Sequence, residues 1–171
     1  MSKAVLISIR PKWCEMIASG QKTIEVRKTR PNLEPPFKCY IYQTGEYIPA
    51  YILSPYAGHR KPGNVIGEFI CDEIYKFSTR VYLGEEQTIH DNDIVKMSCV
   101  PRHELREYEG NATGIFGWHI SDLVIYDKPK ELSEFRSWNT GVVFKDGYPM
   151  PTHEIKRPPQ SWCYVEELVE R

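Results

Sequence analysis

The chain has 171 residues, 41% of them hydrophobic and 26% charged, with a formal net charge of −1. That is length enough for one domain with a buried core, and the charge excludes a protein that coats long stretches of phosphate backbone with a basic surface. The charge is uneven, because residues 1–40 carry eight Lys/Arg against three Asp/Glu and the remainder fourteen against twenty, so any cationic face is local.

In chain order, Ala4 to Arg10 (AVLISIR) predicts a buried strand. Pro11 suits the first turn of a helix, where its missing N–H costs nothing. Trp13, Met16 and Ile17 then form one apolar stripe at i, i+3, i+4, and Gly20 supplies the left-handed residue that ends the helix. GQKTIEVRK, Gly20 to Lys28, alternates as a half-buried strand does: Ile24 and Val26 face one way, Thr23, Glu25 and Arg27 the other. After a proline-rich connector at Pro31–Phe37, FKCYIYQT (Phe37–Thr44) predicts a strand with Phe37, Cys39 and Ile41 on one face and Lys38, Tyr40, Tyr42 and Thr44 on the other.

Gly45 to Gly63 is a long loop rich in Tyr, Pro and Gly, of the kind that serves as a lid or binding arm or is a mobile insertion. Asn64–Phe77 predicts one long strand, bulged near Gly67. Residues 79–99 carry no clear period. VPRHELREYEG predicts a helix entered at Pro101 and left at Gly110. Gly114–Pro129 predicts another long strand, residues 138–159 a loop excursion with a hairpin at KDG, and SWCYVEEL a closing strand. Five or six strands with two short helices give an α+β fold, best met by a small mixed β-barrel with short flanking helices. One domain over 1–171 is expected, with insertions around 45–63, 79–113 and 136–157.

The five cysteines are odd in number, widely spaced and without a CxxC pair, which predicts free thiols. HELRE at His103–Glu107 lacks the second histidine of a zinc-protease motif, so no metal and no cofactor is expected. No apolar run approaches the about 18 residues of a membrane span, and the start lacks the apolar core of a signal peptide. A cytoplasmic protein is the expectation, with no membrane partner.

Two stretches resemble the ASCH family (activating signal cointegrator homology), within the PUA-like superfamily. The first is RPKWCEMIASGQKTIEVRK, whose G-x-K-x-x-E-x-R falls on Gly20, Lys22, Glu25 and Arg27. The second is FGWHISDLVIYDKPKEL; the C-terminal RPPQSWCYVEE is also similar to small bacterial and phage members. The resemblance implies a PUA-like barrel and a cleft between the first helix and the barrel, lined by the signature residues. It also implies RNA or a modified nucleoside as partner. Some members resemble amidohydrolases acting on acylated cytidine, and another is a ribonuclease, so a small hydrolase using Lys22 stands as one alternative and a protein-interaction or regulatory module as another.

The candidate site residues are weighed on that footing. Lys22 follows a helix C-terminus and lies near Arg27 and Lys28, and its burial would favour the uncharged amine of a general base or nucleophile. As a cation it clamps a phosphate or a carbonyl instead, and its bland reading is a snorkelling strand-edge lysine. Glu25 and Arg27 share a strand face, as a surface ion pair or as acceptor and donor for a base. In the amidohydrolase-like members a threonine is expected where Glu25 stands, and anionic Glu25 would hold Lys22 protonated. A third catalytic acid is expected on the middle helix, where Glu104 and Glu107 qualify by position alone. Arg10, Lys12 and Lys28 are candidate RNA contacts. Tyr40, Tyr42 and Trp118 are candidate stacking platforms, each worth about 1–3 kcal/mol to a base, whereas Trp13 reads as core. His119 is a candidate contact, and its pairing with Ser121 on one strand face is not catalytic without a third group.

Overall fold

The computed structural model describes residues 2–138, 145–148 and 152–169. Its elements run β1 (Lys3–Ile9), α1 (Pro11–Ala18), β2 (Ile24–Arg27), β3 (Phe37–Gln43), β4 (Asn64–Cys71), β5 (Ile74–Phe77), α2 (Asp91–Ser98), α3 (Arg102–Glu109), β6 (Ile115–His119), β7 (Ser121–Lys130) and β8 (Trp162–Glu166), with short 3-10 turns at Gly84–Glu86 and Leu132–Glu134. The fold is α+β. Among the described residues the strands form two sheets, one of five in the order β7-β4-β3-β1-β8 and one of three in the order β2-β6-β5, and not one closed barrel.

The residues group into two compact units. The first comprises residues 1–14, 38–68 and 124–171; the second, residues 15–37 and 69–123. In the first unit β1 lies parallel to β3 and antiparallel to β8. Flanked on both sides, β1 reads as a continuous apolar run, as a central strand must. Ala4, Leu6, Tyr40, Tyr42, Val65, Phe135 and Val165 form its core. Gly67 marks a close approach of two strands: a Cβ there would lie 2.4 Å from the Val124 carbonyl oxygen on the neighbouring β7.

In the second unit β2 and β5 pair antiparallel with β6 on either side. Ile24, Val26, Phe77, Ile115, Ile94 of α2 and Leu105 of α3 make its core. The helix of α1 ends where expected, at Gly20 with φ 76°. The predicted stripe of α1 is displaced by one position: Cys14 and Ile17 are the fully buried residues, whereas Trp13 and Met16 are half-buried.

Both long strand predictions break in two. Asn64–Phe77 leaves the five-stranded sheet at Asp72–Glu73 and enters the three-stranded one as β5. Gly114–Pro129 likewise divides at Ile120, and Asp122 takes a positive φ of 45° just inside β7. The stretch 79–99, which carries no clear period, supplies α2, so the described residues form three α-helices rather than two. The Gly45–Gly63 loop holds one isolated antiparallel bridge, Tyr47 to Arg60. The proposed KDG hairpin falls largely outside the described residues; residues 145–147 form a turn. Five free thiols are present, and burial pushes those of Cys71 and Cys163 up to about 12 and about 11, where the reactive thiolate is scarce.

Candidate functional site

The signature residues Lys22, Glu25 and Arg27 come together in the second unit. Lys22 sits between the end of α1 and the start of β2, where its backbone N–H donates to the Met16 carbonyl at 3.0 Å. Its side chain turns inward and is 2% exposed. There Nζ donates to the Ser98 carbonyl at 2.7 Å and lies 3.2 Å from Glu25 Oε2. Ser98 is the last residue of α2, so the ammonium meets the negative end of that helix's dipole and satisfies a carbonyl that the helix itself leaves open. Thr23 is tied to the same end, its N–H donating to the Met97 carbonyl at 2.8 Å.

Glu25, 4% exposed, binds Lys22 through Oε2 and Arg27 through Oε1. The Arg27 Nη1 also donates to the Val26 carbonyl at 3.0 Å. Burial alone would push the Glu25 carboxyl up; the charges of Lys22 and Arg27 and their hydrogen bonds outweigh it and hold the group below its ordinary 4.5. The result is a line of cation, carboxylate and cation, buried at Lys22 and Glu25 and half-buried at Arg27. Lys22 is therefore engaged as an ion-pair donor rather than presented as an unencumbered amine. Past Arg27 the chain surfaces, and Lys28 and Arg30 are exposed. Lys28 Nζ lies 5.2 Å from the centroid of the Tyr108 ring, a cation–π contact.

β6 forms the wall beside this line. Trp118 stands opposite Glu25 in the ladder, and Phe116 opposite Arg27, so these side chains share one face. Trp118 is 0% exposed and meets Phe37 edge-on, ring centroids 6.0 Å apart. It packs the wall and leaves no ring face for a base. His119, one residue on, projects from the opposite face. Its Nδ1 meets Asp72 Oδ1 at 2.6 Å, which supplies the partner missing from the sequence. The adjacent Ser121 hydroxyl donates instead to the Ile70 carbonyl at 2.9 Å, so no Ser–His relay forms.

The remaining candidates are placed as follows. Gly20 ends α1 and acts through its backbone. Arg10 and Lys12, in the first unit, are exposed, and Lys12 lies 4.5 Å above the Trp13 ring centroid. Tyr40 and Tyr42 are core residues of that unit, not a platform. Their hydroxyls accept from the backbone N–H of Leu168 at 2.8 Å and of Gly63 at 3.1 Å. Glu104 and Glu107 lie on the exposed face of α3. Its buried carboxylate is Glu109, which accepts from the Ser78 hydroxyl and from the Thr79 N–H and hydroxyl at 2.9 and 2.7 Å. Burial opposes the charge on Glu109, but these donors prevail and lower its pKa. The signal for Glu109 was legible: it stands at i+4 from Leu105, on the buried stripe of the helix. Among the described residues no group of His, Cys, Asp and Glu is placed to hold a metal ion, and no helix is long and apolar enough to cross a membrane.

The chain is thus an α+β protein with a three-stranded sheet that carries the signature strand and a five-stranded mixed sheet. The chain has the fold of ASCH proteins. It is similar to the crystal structure of ASCH from Zymomonas mobilis, at 17% identity and a TM-score of 0.59, with 96% of this chain and 88% of that one covered. A serine-to-alanine variant of that protein matches at 16% identity and a TM-score of 0.59, covering 96% and 89%. A tyrosine-to-phenylalanine variant matches at 17% and 0.59, covering 97% and 92%. No protein-family model matches the chain, and no curated protein sequence does.

Proposed function

We propose that this chain binds single-stranded RNA or a modified nucleoside, with Lys22, Glu25 and Arg27 as the polar wall of the site and Lys28 and Arg30 as its cationic lip. The observation that carries this reading is the Lys22–Glu25–Arg27 line, which runs from the interior to the half-buried Arg27, on a fold shared with ASCH proteins. Buried ion pairs are costly and contribute little net stability. Groups whose titration is shifted by burial together with a specific charge partner, as that of Glu25 is, cluster at functional sites. Here the line holds two cations and one carboxylate in fixed places beside the strand that leads to the surface cations. That arrangement suits a phosphate or a base carbonyl. The free thiols fit a cytoplasmic setting.

The hydrolase alternative requires Lys22 to lose its contacts to Glu25 and the Ser98 carbonyl before acting as base or nucleophile, so binding without turnover is the favoured outcome. The test titrates a short single-stranded oligoribonucleotide at low and moderate salt against wild type, Lys22→Ala, and Arg27→Ala with Lys28→Ala. Mass spectrometry of the same mixtures, and of mixtures with acylated cytidine, reads any product. Binding weakened about tenfold or more in the Arg27/Lys28 variant, without product, supports the proposal. Product that vanishes with Lys22 replaces it with the hydrolase. Absence of both binding and product sinks it and turns attention to protein partners.

A further inference from the structure

The second unit contains a cavity that the signature residues do not line. Its volume is about 510 Å³, within the ~300–1,000 Å³ of small-molecule sites. Arg80, Tyr82, Gln87, Asn92 and Arg102 supply its chemistry, and Ser78 and Thr79 its floor. The floor is built rather than incidental. Glu109, fully buried beneath it, takes three hydrogen bonds from Ser78 and Thr79. The Ser78 hydroxyl oxygen accepts in turn from the N–H groups of Arg80 and Val81 at 3.2 Å each. A carboxylate placed in the interior thus fixes the four residues that open the groove.

The charged and aromatic groups around that floor are accessible. Tyr82 is 80% exposed. Arg80 is exposed, donates to the Arg106 carbonyl at 3.3 Å, and among the described residues makes no salt bridge. Arg102 is paired with Asp91, which also lines the groove, and the charge of Arg80 acts on the buried Glu109 carboxylate while its guanidinium stays exposed. One exposed ring, the exposed Asn92 amide and one guanidinium without a salt bridge among the described residues, within a cavity of this size, match a base, its hydrogen-bonding edge and one phosphate.

We infer that this groove is a nucleotide subsite, taking a nucleoside monophosphate unit with its base on Tyr82 and its phosphate on Arg80. The inference deepens the reading above and rests on it for the class of ligand. It places a second contact for the same strand in a groove that the signature residues do not line.

The experiment follows backbone amide shifts of the labelled full chain on titration with uridine 5′-monophosphate, and separately with uridine. Wild type, Arg80→Ala, Tyr82→Ala and Arg27→Ala are compared. Shifts over residues 79–92 with the monophosphate are expected, at least about fivefold weaker in Tyr82→Ala. Loss of the preference for monophosphate over uridine is expected in Arg80→Ala, and an unchanged response at 79–92 in Arg27→Ala. Tyr82 is exposed and Arg80 contributes one carbonyl contact, so both variants keep the fold, and the untitrated spectra verify it. Shifts confined to the neighbourhood of Arg27, affinity indifferent to both groove substitutions, or no shift at all overturns the subsite. Oligonucleotide binding that still depends on Arg27 and Lys28 would then leave the function proposed above standing.

Discussion

Lys22 and Glu25 are the pair on which the candidate site turns, and their energetics separate by partner. Glu25 faces two cations, whereas Lys22 faces one carboxylate and one helix-terminal carbonyl. Removing the carboxyl charge takes the shared anion away from two cations, one of them buried. Removing the amine leaves Glu25 still paired with Arg27. Glu25→Gln is therefore expected to cost about 3–5 kcal/mol and Lys22→Met clearly less, as read by urea unfolding at neutral pH. The reverse order would show that the Ser98 carbonyl, not the carboxylate, is the main partner of Lys22. The pH dependence has a definite sign. The folded Glu25 carboxyl lies below its ordinary 4.5, so its contribution is fully present above that value and is lost as pH falls through the folded one. Wild type should lose stability below about pH 4.5 more steeply than Glu25→Gln; parallel profiles would remove Glu25 as the cause. At this scale the signature spacing made Lys22, Glu25 and Arg27 legible together. The Ser98 carbonyl was not, because it lies 76 positions away and belongs to a helix that the sequence pattern did not reveal.

Elements here are set by where the backbone can turn and how closely it can approach. Gly20 sits at φ 76° with open space around a would-be Cβ, so Gly20→Ala meets no clash and isolates the conformational term. It should destabilise by about 1 kcal/mol, with Gly20→Asn costing less; equal stability of all three would mean that α1 ends by another device. Gly117 is the contrasting case. A Cβ there lies 2.8 Å from Ile24 Cγ2 and 3.0 Å from Ile94 Cδ1, so Gly117→Ala overpacks the core of the second unit and should cost about 1–3 kcal/mol. Thermal unfolding checks it, and a loss under about 0.5 kcal/mol would show that Ile24 and Ile94 give way freely. The same elements show why the two longest strands were misjudged. Apolar residues recur on both sides of each break, Cys71 before and Ile74 after the first, Ile120 before and Leu123 after the second, with no Pro or Gly between them to mark a turn. The chain nevertheless changes sheet at each of these points. Periodicity reports burial on a face, not which sheet the face belongs to. α2 escaped for a related reason: Ile94 and Ser98 are its only buried residues, too narrow a stripe for an eight-residue helix to announce itself.

For the molecule as a whole, the near-zero net charge limits what nucleic-acid binding can look like. The excess of cations over residues 1–40 is offset by acids elsewhere, so long-range attraction is weak and affinity must come from a few local contacts. If Arg27, Lys28 and Arg30 are those contacts, log affinity for a single strand should fall with log salt at a slope near −2, from about 0.7 per neutralised phosphate. Lys28→Ala should reduce that slope by about 0.7, and Arg80→Ala by a similar step only if the strand also reaches the groove. A slope steeper than about −4 would require cations from outside this strand, and Arg60 and Lys61 of the Gly45–Gly63 loop would be the next to substitute. A slope of zero with measurable affinity would mean that stacking and hydrogen bonds act without phosphate contacts. A free modified nucleoside would then fit as the ligand better than a strand of RNA, since it presents a base to the buried wall and no backbone to the lip.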